Sequence, residues 1–469
     1  MSVRQRLLAA LCGLWLTISG QAVAAERPNI VVVFIDDMGW GDFSCFGNTE
    51  VETQHIDQLA AEGLRFEQFY VNAPICSPSR TALSTGQYPQ RWRINSYLNN
   101  RADNQKRGVA DWLDPQAPML ARQLHDAGYA TGHFGKWHMG GQRDVGEAPL
   151  IGEYGFDASL TNFEGLGPRV LPLLEAYDGK PARKHALGSD LLGRGEITWQ
   201  ERSLVTSAFV EGATKFIDQA QKDGKPFFVN LWPDDVHSPF FPPKARRGMG
   251  KRAMYLGALD TMDEQLGVLF DKIRHDERLR NNTLILVCSD NGPEPGAGSA
   301  GPFRGGKTML YEGGLRSPLV VWGPSLVDRA GTVNRESFFA AIDIAPTLLK
   351  IAGVAPPEGV AFDGVPLADV LLGRSTTSRD RPLFFRRPPD RPSAPTEGDL
   401  PDLAVRDGRW KLLCEYDGSK PQLYDLDQDR GETKNLAAEQ PDIVHRLTAA
   451  VREWHASLPP DNGADYEME

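Results

Sequence analysis

The sequence predicts an α/β protein with a large, mainly parallel or mixed central sheet flanked by helices, and a smaller C-terminal α+β domain containing an antiparallel sheet. Three observations predict this architecture. Several apolar, β-branched runs end in polar residues, which is typical of buried parallel strands. Helical patterns alternate with these runs along most of the chain. Beyond about residue 375, short strand patterns and one amphipathic helix replace the alternation.

The individual elements follow from these patterns in chain order. Four runs predict strands of the main sheet: PNIVVVFIDD, PFFVNLWPDDVH, NTLILVCSDNG and LRSPLVVWGP. Five stretches predict the flanking helices: TQHIDQLAAEGL, APMLARQLHDAGY, LVTSAFVEGATKFIDQAQ, YLGALDTMDEQLGVLFDKI and FFAAIDIAPTLLKIAG. Residues 142–200 are rich in glycine and lack a clear period. We therefore expect them to form an insertion over the site, such as a lid or specificity loop. In the tail, RWKLLCEYDG and QLYDLDQDRGETKNLA predict two short strands, and PDIVHRLTAAVREWHASL predicts a helix.

The first 25 residues have the features of a secretory signal. Arg4 and Arg6 precede an apolar run, residues 7–18, that is too short to span a bilayer, and small residues follow at 22–24. We predict a removable signal at 1–25, export to the periplasm or medium, a main α/β domain at 26–374 and a C-terminal α+β domain at 375–469. No later segment predicts a membrane helix, so membrane insertion is not expected.

Net charge and cysteine content weigh against a nucleic-acid-binding protein and against a disulfide-rich protein. The chain has 469 residues and a formal net charge of −11, which weighs against a nucleic-acid partner but leaves a small anionic substrate open. Without the signal, the cysteines are too few for a disulfide framework: Cys45, Cys76, Cys288 and Cys414. Cys288 lies in an apolar run and is interpreted as a buried small hydrophobe. One disulfide among the other three remains open.

Oxygen-bearing side chains follow two of the predicted strands. Asp36 and Asp37 end the first strand, and Asp290 and Asn291 end another. Where a strand breaks into a loop, two neighbouring side chains can converge on one point. Mixed carboxylate and amide ligands suit Ca²⁺ better than zinc. Each pair alone fits ordinary loop chemistry, but both together at the ends of buried strands favour a calcium site.

Basic side chains lie near the same predicted edge. Lys136 and His138 are two residues apart, so on a strand they would point to the same side, where they could hold an anion and move a proton. His237 follows another strand, and Lys307 lies in a glycine-rich loop. Each of these four residues, taken alone, could equally be an ordinary surface or core residue.

Cys76 begins a helix-like stretch, CSPSRTALSTG, with Ser and Pro in its first turn. A helix N-terminus stabilises negative charge and attracts anions. Cys76 would therefore face the electropositive region of Lys136 and Lys307. A plainly packed thiol fits poorly beside Pro, Ser and Arg.

The stretch CSPSRTALSTG resembles the signature of the type I, formylglycine-dependent sulfatases of the alkaline-phosphatase-like superfamily, a Cys-x-Pro-x-Arg core followed by Thr-Gly. Further stretches are similar to that family's landmarks, in the same order: NIVVVFIDDMGWGD, GKWHMG, HSPF, SDNG, GGKTMLYEGGLRSP, DIAPTLLKIAGV and LYDLDQDRGETKNLA. One departure is Thr308-Met309, where the family pattern suggests another small residue. The resemblance implies an exported enzyme that hydrolyses sulfate monoesters, most plausibly on glycosaminoglycan or other sulfated polysaccharide fragments.

The resemblance also implies a cofactor and its ligands. Cys76 would be converted by a formylglycine-generating maturation enzyme and hydrated to a gem-diol, which Arg80 would steady. This diol and a sulfate oxygen would share a calcium ion with four further ligands: Asp36, Asp37, Asp290 and Asn291. The diol serves better than a serine, because its second hydroxyl can drive elimination of the sulfate.

The implied roles of the cations follow from the same motifs. Lys136, His237 and Lys307 would surround the sulfate oxygens and stabilise charge in the transition state. His237 or Lys307 would protonate the leaving alcohol. His138 would take the proton of the remaining hydroxyl, expel sulfate and restore the aldehyde. The implied catalytic set is thus Cys76, Arg80, Lys136, His138, His237 and Lys307.

Two other functions remain compatible with the sequence. A phosphate or phosphonate monoester hydrolase can share this scaffold and its Cys-x-Pro-x-Arg core. A non-catalytic binder of sulfated glycans is a different class, although the complete set of acids, lysines and histidines favours an enzyme. For a carbohydrate substrate, we expect a basic rim from residues 142–200 and the Arg-rich stretch near 386: Arg169, Lys180, Arg183, Lys184, His185, Arg386 and Arg387.

Overall fold

The computed structural model describes residues 27–175, 181–388 and 400–460, so the predicted signal at 1–25 lies outside the described residues. Twelve described strands form the main sheet: β1 (Asn29–Ile35), β2 (Leu64–Tyr70), β3 (Ala130–Gly135), β4 (Ala158–Thr161), β5 (Arg169–Leu174), β6 (Arg183–Lys184), β7 (Ile197–Glu201), β8 (Phe227–Trp232), β9 (Thr283–Ser289), β10 (Arg316–Trp322), β11 (Thr332–Asn334) and β12 (Phe339–Ala340). The helices described in the same part of the chain are α1 (Gln54–Glu62), α2 (Cys76–Thr85), α3 (Arg101–Lys106), α4 (Leu120–Asp126), α5 (Val205–Lys222), α6 (Gly250–His275), α7 (Glu277–Asn281), α8 (Glu312–Leu315), α9 (Ala341–Ile351) and α10 (Ala368–Leu371).

The main sheet is mixed. Its strand order is β11-β2-β10-β9-β1-β8-β3-β4-β5-β6, with β12 paired to β2 and β7 paired to β5. The strands from β9 through β1, β8, β3 and β4 to β5 all run parallel. Strand β10 is antiparallel to both β9 and β2. The predicted fold class, a mainly parallel or mixed sheet flanked by helices, is confirmed.

The two faces of β1 explain how the sheet is covered. Its residues are all buried, and alternate side chains point to opposite faces. Val32 packs in the core under α4 and α9, whereas Val33 packs in the core under α1, α5 and α6. A strand that is apolar on both faces requires helices on both sides, which is the arrangement that the continuous apolar run predicts.

The parallel arrangement places one polar edge at the carboxyl ends of five strands. β1 and β9 end side by side at the pair Ile35 and Ser289, directly before the predicted metal ligands. Gly135, the last residue of β3, pairs with the ends of β8 and β4. Ligands of open α/β sheets bind outside these carboxyl ends. Side chains from five separate stretches of sequence can therefore meet there.

Residues 142–200 differ from the expected loop-like insertion. The described part of this segment adds β4, β5, β6 and β7 to the edge of the main sheet beyond β3. These strands are short, and β6 has two residues, so they carry too few alternating residues to show a clear period. The segment is part of the sheet rather than a lid over it.

The C-terminal part forms a separate antiparallel sheet of β13 (Leu383–Arg386), β14 (Leu403–Asp407), β15 (Trp410–Cys414) and β16 (Gln422–Asp425), with α11 (Pro441–Ala456) packed on β14 and β15. A buried ionic cluster joins this sheet to the main one. Lys411 Nζ lies 2.9 Å from Glu312 and 2.8 Å from Glu432, and all three side chains are fully buried. The predicted domain boundary at residue 375 stays a prediction.

The four cysteines in the described residues are all free thiols, so the disulfide left open by the sequence does not form there. Cys288 is buried in the core, as expected of a small hydrophobe. Across the described ranges, no helix combines the length and apolarity that a membrane crossing requires.

Candidate active site

Three carboxylates converge at the carboxyl edge of the sheet. Asp36 and Asp37 follow β1, and Asp290 follows β9; their oxygens lie within 4.8 Å of one another, and all three residues are fully buried. Asp37 has a left-handed backbone (φ 58°), which turns its side chain towards the same point as its neighbour. Asn291 donates from Nδ2 to Asp37 Oδ1 at 2.8 Å. The predicted convergence of two strand ends is therefore present.

These acids and the amide fit a hard cation. Asn291 Oδ1 is buried and accepts no hydrogen bond, and Asp36 Oδ1 accepts none either, although Arg80 lies beside it as an ion-pair partner. Burial, and then the charge of Asp36, raises the pKa of Asp290 well above its usual range. Buried carboxylates in such proximity repel one another unless a proton or cation intervenes. Unsatisfied oxygens of both carboxylate and amide type are the ligands that Ca²⁺ accepts.

Cys76 is the first residue of α2 and lies at the same edge. It is 3% exposed, and its nearest charged groups include Lys136, Asp36 and Lys307. Arg80, one turn further on, places Nη2 2.7 Å from Asp290 and 3.2 Å from Asp36 Oδ1. The helix therefore presents its first residue to the acidic cluster while its arginine pairs with two of the acids.

Two lysines flank the acidic cluster on opposite sides. Lys136 Nζ lies 2.7 Å from Asp36 Oδ2, and Lys307 Nζ lies 2.5 Å from Asp37 Oδ2. Burial disfavours the charge of both lysines, but the adjacent carboxylates keep the pKa of each above its usual value. In turn, burial opposes ionisation of Asp36, but Lys136, together with other nearby cations, holds its pKa well below the usual range. Both lysines are thus cations.

Lys136 and His138 meet for a reason that differs from the predicted one. Strand β3 ends at Gly135, so strand alternation does not orient them. His138 has a left-handed backbone (φ 53°) in the following turn. Glu164 joins the two side chains instead: its Oε2 lies 3.0 Å from Lys136 Nζ and 3.0 Å from His138 Nδ1.

The sequence reasoning missed Glu164. It lies just beyond β4 in the stretch NFEGLG, where neither hydrophobic period nor spacing distinguishes one acid from another. The side chain is 7% exposed. Burial opposes its ionisation, but nearby positive charge, including that of Lys136, lowers the pKa of Glu164 to about 2. A buried, ionised glutamate beside two site residues belongs to the same constellation.

His237 and the loop of Lys307 complete the site. The Nδ1 atom of His237 lies 2.8 Å from the carbonyl oxygen of Ser238, which can only accept, so Nδ1 donates and Nε2 faces the acids, 3.6 Å from Asp37. The side chain of His237 is 32% exposed and lies at the mouth of the site. Thr308, the departure from the family pattern, has φ 75° and donates its N–H to Pro74 O at 2.8 Å. The loop therefore docks beside the start of α2.

Two residues expected at a basic rim lie elsewhere. Arg169 is buried and donates to the carbonyl oxygens of Ser189 and Gly193. Arg386 is buried and donates to Asn95. Both guanidinium groups satisfy interior acceptors, so the expectation that they face a substrate was wrong.

The other expected rim residues differ in exposure. Arg183 and Lys184 are exposed on β6, and His185 beside them is half-buried. Arg387 is half-buried and pairs with Asp402 at 3.2 Å. Lys180 lies outside the described residues.

Comparison with known proteins agrees with this geometry. Residues 28–354 match the family model described as Sulfatase, and residues 303–456 match the one described as N-sulphoglucosamine sulphohydrolase, C-terminal. The chain is 33% identical to N-acetylgalactosamine-6-sulfatase of Canis lupus familiaris, over 94% of this chain and 88% of the relative. It is 31% identical to human arylsulfatase A, over 95% of this chain and 89% of the relative.

A solved structure from Bacteroides thetaiotaomicron, described under the metabolism of multiple glycosaminoglycans, is similar along its full length. It superposes with a TM-score of 0.74 at 25% identity, covering 92% of this chain and 100% of the other. Its fold agrees with the mixed main sheet and the small antiparallel sheet found here. The family match, the curated relatives and the fold lead to one conclusion: this chain belongs to the sulfatase family of the alkaline-phosphatase-like superfamily and is a sulfuric ester hydrolase.

Proposed function

We propose that this chain is an exported sulfatase that removes sulfate from carbohydrates, using formylglycine made from Cys76 and a calcium ion held by Asp36, Asp37, Asp290 and Asn291. One observation carries the proposal. Cys76 at the start of α2 and four potential calcium ligands meet at one edge of the sheet, and five cations and imidazoles surround them. A sulfate ester needs this combination, because the nucleophile, the charge stabilisation and the proton donor must act at one sulfur atom.

An unmodified thiol suits this site poorly. Burial, the largest influence, raises the pKa of the Cys76 thiol. A thiol with a raised pKa carries little thiolate at neutral pH and is a weak nucleophile. Formylglycine supplies, when present and hydrated, an oxygen nucleophile with a second hydroxyl that can later expel the sulfate. The environment of Cys76 therefore favours a nucleophile other than the thiol, which the hydrated aldehyde would supply.

The proposed calcium site supplies charge that the acids alone lack. The three carboxylates and the free Oδ1 of Asn291 would hold the ion. When bound, calcium would lower the pKa of an adjacent hydroxyl and offset negative charge on the sulfate. Arg80 restrains the cluster by pairing with Asp36 and Asp290.

The side chains of this chain can bind the sulfate and move its protons. Lys136 and Lys307 are charged and lie on either side of the acids, so both can donate hydrogen bonds to sulfate oxygens. His237 has Nδ1–H fixed by a backbone carbonyl, so in the doubly protonated ring the second proton is on Nε2 and can pass to the leaving alcohol. Its position at the mouth of the site suits contact with the alcohol rather than with the sulfate.

His138 is the proposed base of the second step. Burial lowers the pKa of His138 to about 3, so the ring is neutral and carries one proton. The carbonyl oxygen of Leu98, 2.9 Å from Nε2, can only accept and therefore fixes that proton on Nε2. Nδ1 is left to accept a proton, and Glu164 at 3.0 Å stabilises the resulting positive charge. Glu164 thus acts as a positioning residue.

The substrate class is proposed from the relatives. The Canis lupus familiaris relative is named for a sulfated N-acetylgalactosamine, and the Bacteroides thetaiotaomicron structure is described under glycosaminoglycan metabolism. A signal-like start to the sequence fits a protein that meets extracellular polysaccharide. Sulfated glycosaminoglycan fragments are therefore the first substrates to test.

The proposal is tested on protein produced together with a formylglycine-generating enzyme. Peptide mass spectrometry should find the aldehyde at position 76, and 4-nitrophenyl sulfate should be hydrolysed faster than 4-nitrophenyl phosphate. Cys76→Ala should lack turnover but remain folded. Full activity with an unaltered cysteine, or a preference for the phosphate ester, would contradict the proposal.

A further inference from the structure

Arg143 is a partly buried arginine whose side chain has no hydrogen-bonding or anionic partner within the described part of the protein. Of the described arginines that are buried or partly buried, Arg143 alone makes no hydrogen bond or ion pair, and its Nε is fully buried. Burying the Nε–H group of a guanidinium is costly unless an acceptor replaces its lost hydration. In the same part of the molecule, Arg169 and Arg202 find such acceptors within the protein. The acceptor for Arg143 is therefore expected to come from outside the chain.

Arg143 lies directly beside the active site. The preceding residue, Gln142, forms an isolated β-bridge with Glu164, whose carboxylate contacts Lys136 and His138. Arg143 itself has a left-handed backbone (φ 58°), so the chain turns immediately after this bridge. Arg143 thus directly follows the residue whose backbone pairs with the site glutamate.

The segment around His185 packs against the same place. The ring of His185 meets Phe163 edge-on, with centroids 5.4 Å apart, and Phe163 directly precedes Glu164. A Cβ atom on Gly188 would lie 2.9 Å from the carbonyl oxygen of Arg143, so the two segments are in close contact. His185 and Arg143 are therefore neighbours on the wall next to Glu164.

Three of the four charged groups that act on His185 are arginines. Burial lowers the pKa of His185, and the charges of Arg202, Arg183 and Arg143 lower it further, opposed by Asp234. Arg202 is already paired with Asp234 at 2.8 Å. The positive charge left without a counterion belongs to Arg143 and to Arg183, which is exposed.

We propose that Arg143 and His185 form a second anion subsite, which binds a carboxylate or an additional sulfate on the sugar next to the one that loses its sulfate. This inference rests on the proposed function and deepens it, because it assigns the substrate class: an oligosaccharide with an acidic group adjacent to the scissile sulfate. The guanidinium can bind either anion with two parallel hydrogen bonds, and the imidazole supplies a further donor. Charge-assisted hydrogen bonds of this kind favour the acidic substrate about 10- to 100-fold in kcat/KM.

The test compares matched substrates on fully converted enzyme. One is a disaccharide of 6-sulfated N-acetylgalactosamine next to a uronic acid, and the second is its uronate methyl ester, which removes only the carboxylate charge. A third is the same methyl ester with an added sulfate on the uronic acid ring. The measured quantity is the ratio of kcat/KM for each acidic substrate to that for the ester, in the wild type and in Arg143→Gln and His185→Gln.

We expect the wild type to prefer one of the acidic substrates, and Arg143→Gln to reduce that preference about tenfold or more. A preference for the uronate identifies a carboxylate subsite, and a preference for the added sulfate identifies a sulfate subsite. Arg143→Lys should retain an intermediate preference, because it keeps the charge but loses the two-pronged geometry.

The matched control is Arg93→Gln, which removes an exposed arginine with the same left-handed backbone (φ 57°). Its substrate ratio should equal that of the wild type. Equal kcat/KM for all three substrates in the wild type, or an unchanged ratio in Arg143→Gln, would overturn the subsite. Hydrolysis of 4-nitrophenyl sulfate tests the sulfatase chemistry separately. If the enzyme hydrolyses that ester but does not prefer either acidic disaccharide, the subsite proposal is wrong and the proposed sulfatase function stands.

Discussion

Glu164 Oε2 lies 3.0 Å from Lys136 Nζ, so a residue from the edge of the main sheet reaches into the centre of the site. The glutamate follows β4, which belongs to the segment that the sequence analysis expected to form a lid. Its buried carboxylate balances part of the positive charge of Lys136, which also contacts Asp36. The edge strands thus contribute directly to the chemistry of the site.

Replacing Glu164 should therefore affect catalysis more than folding. Glu164→Gln keeps the shape of the side chain but removes the charge that stabilises protonated His138 and orients Lys136. We expect kcat on 4-nitrophenyl sulfate to fall about 10- to 100-fold, the range for loss of a residue that supports a group in the site. Steady-state kinetics, with thermal unfolding as a check on folding, measures this. Glu211→Gln, at an exposed position of α5, is the control. An unchanged kcat in Glu164→Gln would refute the role.

Calcium should stabilise the folded protein through the acidic cluster. A ligand that binds only the folded state at 100 times its Kd adds about 2.7 kcal/mol to the free energy of unfolding. We expect a chelator to lower the melting temperature and calcium, more than magnesium, to restore it. In Asp290→Asn the response to calcium should be lost, whereas Asp126→Asn, on an exposed helix end, should respond like the wild type. A melting temperature indifferent to calcium in the wild type argues against the site.

Acid should weaken the fold through His133. The ring is enclosed by Trp137, Phe156 and Trp232, and burial lowers its pKa to about 3. Since the unfolded chain has a histidine pKa of about 6.5, it binds more protons than the folded state between these values. The contribution of His133 to stability is thus present above pH 6.5 and is lost as the pH falls towards 3. The loss amounts to a few kcal/mol, on the order of 1.4 kcal/mol per pH unit.

The measurement is urea unfolding at pH 7, 5.5 and 4.5. His133→Phe keeps the aromatic packing but cannot be protonated, so its stability should fall less over this range than that of the wild type. His275→Phe, at an exposed helix end, should retain the wild-type slope. Equal slopes for the wild type and His133→Phe would show that another group causes the acid sensitivity.

Lys411 should be essential for joining the C-terminal sheet to the main one. Lys411→Met would leave Glu312 and Glu432 facing each other without their shared cation, in fully buried positions. Breaking a buried ion pair in this way costs about 3–5 kcal/mol of stability. Urea unfolding of the whole chain measures the loss. Lys434→Met removes an exposed partner of Glu439 and should change stability by less than about 0.5 kcal/mol.

Local sequence was sufficient for the strands and helices that carry the site. The run from Ile30 to Ile35 is apolar at every position, and a strand covered on both faces buries such a run. The acids after it, and those after β9, then meet because neighbouring parallel strands end at one edge. The same reasoning placed Cys76 at the start of a helix, where the structure has it. Lys136 and His138 lie together as predicted, but the predicted reason was wrong, because a turn after β3 and not the strand itself orients them.

The sequence by itself thus determined the class of fold, the polar edge of the sheet and the members of the acidic cluster, because hydrophobic period and strand direction are local properties. Only the tertiary structure decided that Glu164 enters the site, that Arg169 and Arg386 are interior anchors, and that Arg143 is left without a partner. A single charged residue in an irregular stretch has the same local pattern whether it faces water, a carbonyl oxygen or a ligand. Which of these it meets depends on segments far away in the chain, so packing alone settles it.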